Sequence, residues 1–303
     1  MPRRFLMATY AASINRALQP SQEQLVDHRE RCSADPDKLA TIGCAVGQQV
    51  RIKRNNDEYG LYTVSEVRQE NPDNVVRMGL TGRRRLGTDE EFDGVVDSQV
   101  VKTLRECDAK DQNEFIERLK DNGVQSELIA IAPHGGDIEL HTDQQAERVA
   151  SRLAAKAISS WRCKGWHAKG ALDHWHITST DINEASFPLL NSIISRGFRY
   201  AVAFHGFDNE PGILIGGTAP AALKREIRDA IAGATASSSF EVRIADPDEG
   251  FGGNDQRNIV NRLTARDQNG IQNGIQIEQS LPARSGHWPA IADAVAEVYG
   301  RRL

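Results

Sequence analysis

Cysteine is scarce in this sequence. The four present, Cys32, Cys44, Cys107 and Cys163, lie far apart and form no CxxC pair. That argues against a thiolate zinc site and leaves separate, reduced thiols as the expectation. Long apolar runs are missing too: no stretch approaches the roughly 18 residues that a membrane helix needs. The opening MPRRFLMATYAAS has two arginines and a short apolar run, the outline of a secretion signal, but Thr9 and Tyr10 interrupt it. Basic charge is not in excess, with 37 Lys and Arg against 42 Asp and Glu and a net charge of -5. The basic footprint of a nucleic-acid binder is therefore lacking. These absences predict a soluble, cytoplasmic monomer with neither a nucleic-acid nor a membrane partner. What is present, 39% hydrophobic residues in a chain of 303, suffices for a packed core in one large domain or a large and a small one.

The texture of the chain changes twice. Residues 1–40 read as a polar helical segment, with Ser21 as a cap for SQEQLVDHRERCS. Residues 41–105 alternate with period two in QQVRIKR, GLYTVSEVR and NVVRMGL between turn clusters, the mark of a small β module. From 106 to 303 strands alternate with helices. DQNEFIERLKDNG reads as a helix, SELIAIAP as a strand and TDQQAERVASRLAAKA as a helix. SSWRCKGWHA and HWHITST read as β-like, FPLLNSIISRG as helical, and YAVAFHG, GILIGG, FEVRIAD and GIQIEQS as strands. APAALKREIRDAIAGA and WPAIADAVAEVYGRR read as helices. This rhythm predicts a layered α/β domain on a mixed, largely parallel sheet.

Chemistry-bearing residues cluster at strand ends. In IAIAPHGGDIE an apolar strand stops at two glycines, and His134 and Glu139 emerge at its carboxyl end, where sites assemble in open α/β sheets. An imidazole and a carboxylate together suit zinc. A His-Gly-Gly turn also serves oxyanion holes in serine esterases, but no GxSxG elbow accompanies it. YAVAFHGF ends a second buried strand in His205 and a glycine, so the two histidines would converge from neighbouring strands. In GIQIEQS, Ile275 and Ile277 share one face and Gln276 and Glu278 the other. A carboxylate there is costly to bury unless it is paired or working.

Taken in order, APHGGDIE, HWHITST, AFHG, ILIGG, RNIVNR and GIQIEQS followed by an arginine resemble the poly-γ-glutamate hydrolase family, from about Thr41 into the last helix and most sharply from Pro133 to Arg284. That family is phage-associated, and some members have been labelled phage replication proteins. The resemblance implies an α/β three-layer sandwich of the zinc carboxypeptidase type, with the small N-terminal β module added. It implies a zinc cofactor held by His134, Glu139 and His205, with Glu278 as the general acid/base. The implied substrate is a polyanionic γ-glutamyl chain, whose carboxylates Arg262 and Arg284 would grip, with Asn258 and Asn261 as hydrogen-bond donors and His176 nearby. The alternatives are another acyl-amino-acid or cell-wall amide, or a non-enzymatic phage protein. Asp137 stands where the family has a small residue, and its alternatives are to bind metal, to hydrogen-bond a ligand from behind or to point to water, with a ligand role disfavoured because catalytic zinc uses three protein ligands; His141 reads as a surface residue. His174 and His176 form a minor alternative metal pair. GILIGGTAPAALKREI lacks the glycine pattern of a nucleotide loop, and Arg83, Arg84 and Arg85 read as a solvated turn.

Overall fold

The computed structural model describes residues 9–208, 212–246 and 248–303, arranged in two units. One comprises the residues up to Lys102 together with Lys169–Phe187; the other comprises Thr103–Ala168 and Pro188–Leu303. Most of the stretch weighed as a secretion signal lies outside the described residues. Among the described residues, no helix is long and apolar enough to cross a membrane.

The first unit is built on six strands: β1 Thr9–Arg16, β2 Arg31–Ala34, β3 Gln49–Lys53, β4 Tyr59–Val67, β5 Val75–Met78 and β6 Phe92–Asp97. They close into a barrel in the order β1-β5-β2-β4-β3-β6, with β6 pairing back to β1. Closure removes the open edges that a small sheet would otherwise expose. Alternation along β1 sends Tyr10, Ala12 and Ile14 inward, where they meet Cys32, Ile52, Tyr62, Val64, Val76 and Val96. Short helices α1 Glu23–Val26, α2 Pro36–Thr41 and α3 Leu80–Arg84 join the strands. The described part of residues 1–40 is therefore not a helical segment. It supplies two barrel strands, and α1 is capped at Gln22 with no side-chain cap bond, so Ser21 is not its cap.

The second unit holds α4 Glu106–Asp111, β7 Phe115–Lys120, β8 Leu128–Gly136, α5 Thr142–Arg152 and β9 Ser159–Gly165. The chain then contributes Lys169–Phe187, with α6 Ala171–Trp175, to the barrel unit. It returns with α7 Pro188–Asn191, β10 Tyr200–Phe207, β11 Gly212–Gly216, α8 Ala221–Ala234, β12 Glu241–Ile244, α9 Ile259–Arg262, β13 Gly274–Ser280 and α10 Leu281–Gly300. The sheet runs β12-β11-β13-β10-β8-β9-β7. The central β13, β10, β8 and β9 are mutually parallel, while β7 runs antiparallel to β9, and β11, parallel to β12, runs antiparallel to β13. The mixed, largely parallel sheet agrees with the sequence reading. Two local expectations do not hold. FIERLK is strand β7, because Asn113 takes φ 54 and ends α4 before it. HWHITST is the end of α6 and the loop beyond it, which removes the alternate-strand pairing of His174 and His176.

One face of the sheet carries Ala130, Val202, Phe204, Ile215, Ile275 and Ile277, which pack against Val149 of α5, Leu223 and Ile227 of α8 and Ile291, Val295 and Val298 of α10. Period two then sends Ala203, His205, Gln276 and Glu278 to the opposite face. There, α9 packs against β10 and β13. β8 lies between β9 and β10, so the chain leaves it on one side and returns on the other. Such switch points open a crevice at the carboxyl ends of the strands.

Candidate metal centre

His134 sits at the end of β8, where the pairing with β9 slips between Ala132 and Gly135. The turn beyond it needs both glycines. A Cβ on Gly135 would lie 2.5 Å from the Asp143 Cβ, and Gly136 takes φ +71 with a would-be Cβ 2.6 Å from the Gly165 carbonyl. The Glu139 N–H donates to the His134 carbonyl at 2.9 Å, folding the loop back so that both side chains face one point. The Thr142 hydroxyl donates to the Glu139 carbonyl at 2.8 Å and holds the turn at the start of α5.

His205 enters from β10, in register with Glu278 on β13. His134 Nδ1 lies 3.0 Å from Glu139 Oε1, and His205 Nδ1 lies 3.2 Å from His134 Nδ1 and 3.5 Å from Glu139 Oε2. All three residues, and Glu278, are no more than 5% exposed. Ligand atoms around a tetrahedral zinc at 2.0–2.1 Å stand about 3.3 Å apart. Two imidazoles and a carboxylate at these separations are a donor set whose chemistry suits that ion.

The two buried carboxyls are driven in opposite directions. Burial raises Glu139, but the imidazolium charge and hydrogen bonds of His134, and then those of His205, outweigh it and hold the group well below the usual carboxylate range. The Gly206 N–H adds a bond to Oε2 at 2.9 Å. Burial, reinforced by the charge of Glu139, pushes Glu278 well above that range, against the opposing bond from Gln276 and the charge of Arg284. The pair is thus driven apart, with Glu139 favoured as the anion and Glu278 favoured as the protonated acid.

The remaining residues singled out from the sequence are distributed unevenly. Arg284 is buried beside the cluster, donating from Nε to the Gln279 carbonyl at 3.1 Å and from Nη1 to the Leu140 carbonyl at 3.0 Å. Its guanidinium lies flat on Gly206, where a Cβ would come within 2.3 Å of Cζ. Arg262 is half-buried at the C-terminal end of α9. Asn261 does not fit a substrate-contact role. It is fully buried, its Nδ2 donates to the Gly253 and Asp255 carbonyls, and its Oδ1 accepts from Thr218, so it organises loops. His176 belongs to the barrel unit, where Nδ1 lies 2.6 Å from Glu30 Oε1. Asp137 is exposed, which fits a polar residue directed to water.

Three features were not read from the sequence. Asp143 and Lys164 form a buried ion pair at 2.8 Å behind the metal loop. Gln145 and Gln279 exchange two amide hydrogen bonds on the helix side of the sheet. Asn258 reaches Gln276 rather than solvent. Polar residues two apart on an otherwise apolar strand, Gln276 and Glu278, were the available signal for the last.

Fold and site together define an α/β protein with a candidate metal centre at the carboxyl edge of its sheet. Residues 102–289, more than half of the chain, match the family model described as poly-gamma-glutamate hydrolase. The chain belongs to the poly-gamma-glutamate hydrolase family. It is 27% identical over 188 residues to the SPbeta prophage-derived UPF0714 protein YoqZ of Bacillus subtilis (strain 168), covering 58% of this chain. The match spans 61% of that relative, less than two thirds of its length. Among solved structures, a bacteriophage poly-gamma-glutamate hydrolase is 24% identical, covering 62% of this chain and 89% of that one at a TM-score of 0.45. Zinc-free apo YNDL is 24% identical, covering 62% and 88% at a TM-score of 0.44.

Proposed function

We propose that this protein is a zinc-dependent hydrolase that cleaves γ-glutamyl amide bonds in a polyanionic chain, poly-γ-glutamate being the favoured substrate. The observation that carries the metal is the convergence of His134 Nδ1 and His205 Nδ1, 3.2 Å apart, on the two oxygens of Glu139, at 3.0 Å from Oε1 and 3.5 Å from Oε2, separations close to those within a zinc ligand set. Family membership supports the substrate class. Long helices on one face of the sheet and α9 on the other support the expected carboxypeptidase-type layering.

Zinc held there would act as a Lewis acid toward the scissile carbonyl and make a nearby water more acidic. The chain's own part is proton handling and positioning. Glu278, two residues beyond Gln276 and in register with His205, would accept a proton from water as its oxygen bonds the carbonyl carbon. It would return that proton to the amine nitrogen as the C–N bond breaks. Arg284 holds the Leu140 and Gln279 carbonyls and supplies positive charge beside both carboxyls. Arg262 is the proposed contact for a substrate carboxylate. Nothing in this scheme requires nucleic acid, a membrane, a second copy or secretion.

The test is elemental analysis of purified wild type and His134→Ala, beside cleavage assays on poly-γ-glutamate and poly-α-glutamate. About one zinc per chain, as one three-ligand site predicts, lost in the variant together with γ-selective cleavage, supports the reading. A folded wild type that takes up no zinc on reconstitution sinks the metal. Cleavage of the α-linked polymer alone sinks the substrate.

A further inference from the structure

The face of β13 that carries Glu278 also carries a chain of side-chain amides whose direction can be read without ambiguity. Asn258 caps α9, and its Oδ1 accepts the Val260 N–H at 3.2 Å. A backbone N–H can only donate, so the other end of that amide must be the NH2 group. Asn258 Nδ2 donates to Gln276 Oε1 at 2.7 Å. Gln276 Nε2 then donates to Glu278 Oε1 at 2.8 Å, and its second hydrogen goes to the Phe251 carbonyl at 3.2 Å. That carbonyl can only accept, which fixes the Gln276 amide from its other end. All three side chains are at most 5% exposed, so water offers little competition for these bonds.

We propose that Asn258 and Gln276 are positioning residues that dedicate the two oxygens of Glu278 to different tasks. Oε1 is kept as an acceptor, facing a donor whose polarity is set by the N-terminus of α9. Oε2 is the oxygen that takes the proton from water and returns it to the leaving amine. The net change is one water consumed, one C–N bond broken, one C–O bond formed and the Glu278 carboxylate restored. With an acceptor in place of the Asn258 donor, the Gln276 amide would turn over and present its own oxygen to Oε1. The proton would then be drawn to Oε1, away from the reacting atoms. This inference rests on the role proposed above for Glu278.

Two changes at Asn258, one of them isosteric, are ranked in opposite order by this scheme and by a purely structural role. Asn258→Asp keeps the cap on Val260, since aspartate caps helices as well as asparagine does, but it replaces the donor to Gln276 with a second acceptor. Asn258→Ala loses the cap and leaves Gln276 free to keep its orientation. A structural role predicts that the aspartate variant is at least as active as the alanine variant. The relay predicts the reverse, with kcat of Asn258→Asp about tenfold to a hundredfold below that of Asn258→Ala, the scale of one hydrogen bond to a charged group. KM on poly-γ-glutamate and zinc content should be held, while Asn258→Ala should melt lower through the loss of its cap. An aspartate variant as active as the alanine variant overturns the proposal. If Asn258→Asp does not fold, Gln276→Leu reads the same relay: kcat lowered at least tenfold with KM held supports it, and an unchanged kcat overturns it. Glu278→Gln, assayed alongside, tells the two layers apart. If it retains turnover, the role of Glu278 fails and the relay with it; if it is inactive while the Asn258 order is wrong, the relay alone fails.

Discussion

The ion pair behind the metal loop offers a quantitative test of how that loop is held. Asp143 and Lys164 are 6% and 7% exposed, with Nζ and Oδ2 2.8 Å apart. Asp143 Oδ1 also accepts the Gly136 N–H at 3.2 Å, and Lys164 has a second partner in Glu106, whose side chain is 54% exposed. Removing one member of a buried pair costs about 3–5 kcal/mol when the other is left without compensation. Asp143→Asn leaves Lys164 the exposed Glu106 and keeps an oxygen for Gly136, so its cost should fall below that range, at about 2–3 kcal/mol. Lys164→Met leaves a buried carboxylate with one backbone donor, and should cost the full 3–5 kcal/mol or so. With both changes no buried charge remains, so the double variant should lose less than the two singles together, by about 2 kcal/mol or more. Urea unfolding of the four proteins, followed by tryptophan fluorescence with unchanged slopes, measures the cycle. Zinc content should stay unchanged in Asp143→Asn, because the Gly136 bond that shapes the loop survives. Additivity within about 0.5 kcal/mol would mean that the pair is not coupled, and the reasoning would fail.

Glu278→Gln should retain zinc and lower kcat by about a hundredfold to ten-thousandfold, the usual span for a general acid/base, as measured by amine release from poly-γ-glutamate. Acid stability should show a separate contribution from Asp121. Its bidentate contact with Arg196, aided by Ser159 and the Gly123 N–H, overcomes partial burial and lowers it from 3.8 to about 2. A depressed carboxylate stabilises the fold above its unfolded value and loses that contribution as pH falls through the folded one. Wild type should therefore lose stability between about pH 4 and pH 2 more steeply than Arg196→Met, in urea titrations across that window.

The four residues at the centre were legible because the chemistry sits where apolar strands stop. His134 and His205 each precede glycine after a buried run, and Glu278 interrupts the polar face of a strand with a charge that must be accounted for. The barrel strands among the first forty residues were harder. TYAASINR does alternate, but alanines and serine contribute little to a hydrophobic pattern, and closure of the barrel supplies what local propensity does not. FIERLK suits a helix by spacing alone, and its pairing with β9 decides otherwise. Asn261 shows a different limit. Its amide is suited to substrate, and only the approach of the Gly253 and Asp255 carbonyls, set by loops distant in sequence order from the strands, turns it inward.

The excursion of Lys169–Phe187 into the barrel unit has a consequence for how the chain is made and how it can be divided. Strand β6 ends at Asp97, yet the barrel unit is not complete until residue 187 has left the ribosome, after three strands of the sheet have already been synthesised. The two units are thus interleaved in translation order. No single junction in the gene separates them: a cut after Lys102 takes part of one unit away with the other. Exchange of modules between related proteins would have to carry both segments together, or replace the excursion with a short turn joining Ala168 to Pro188.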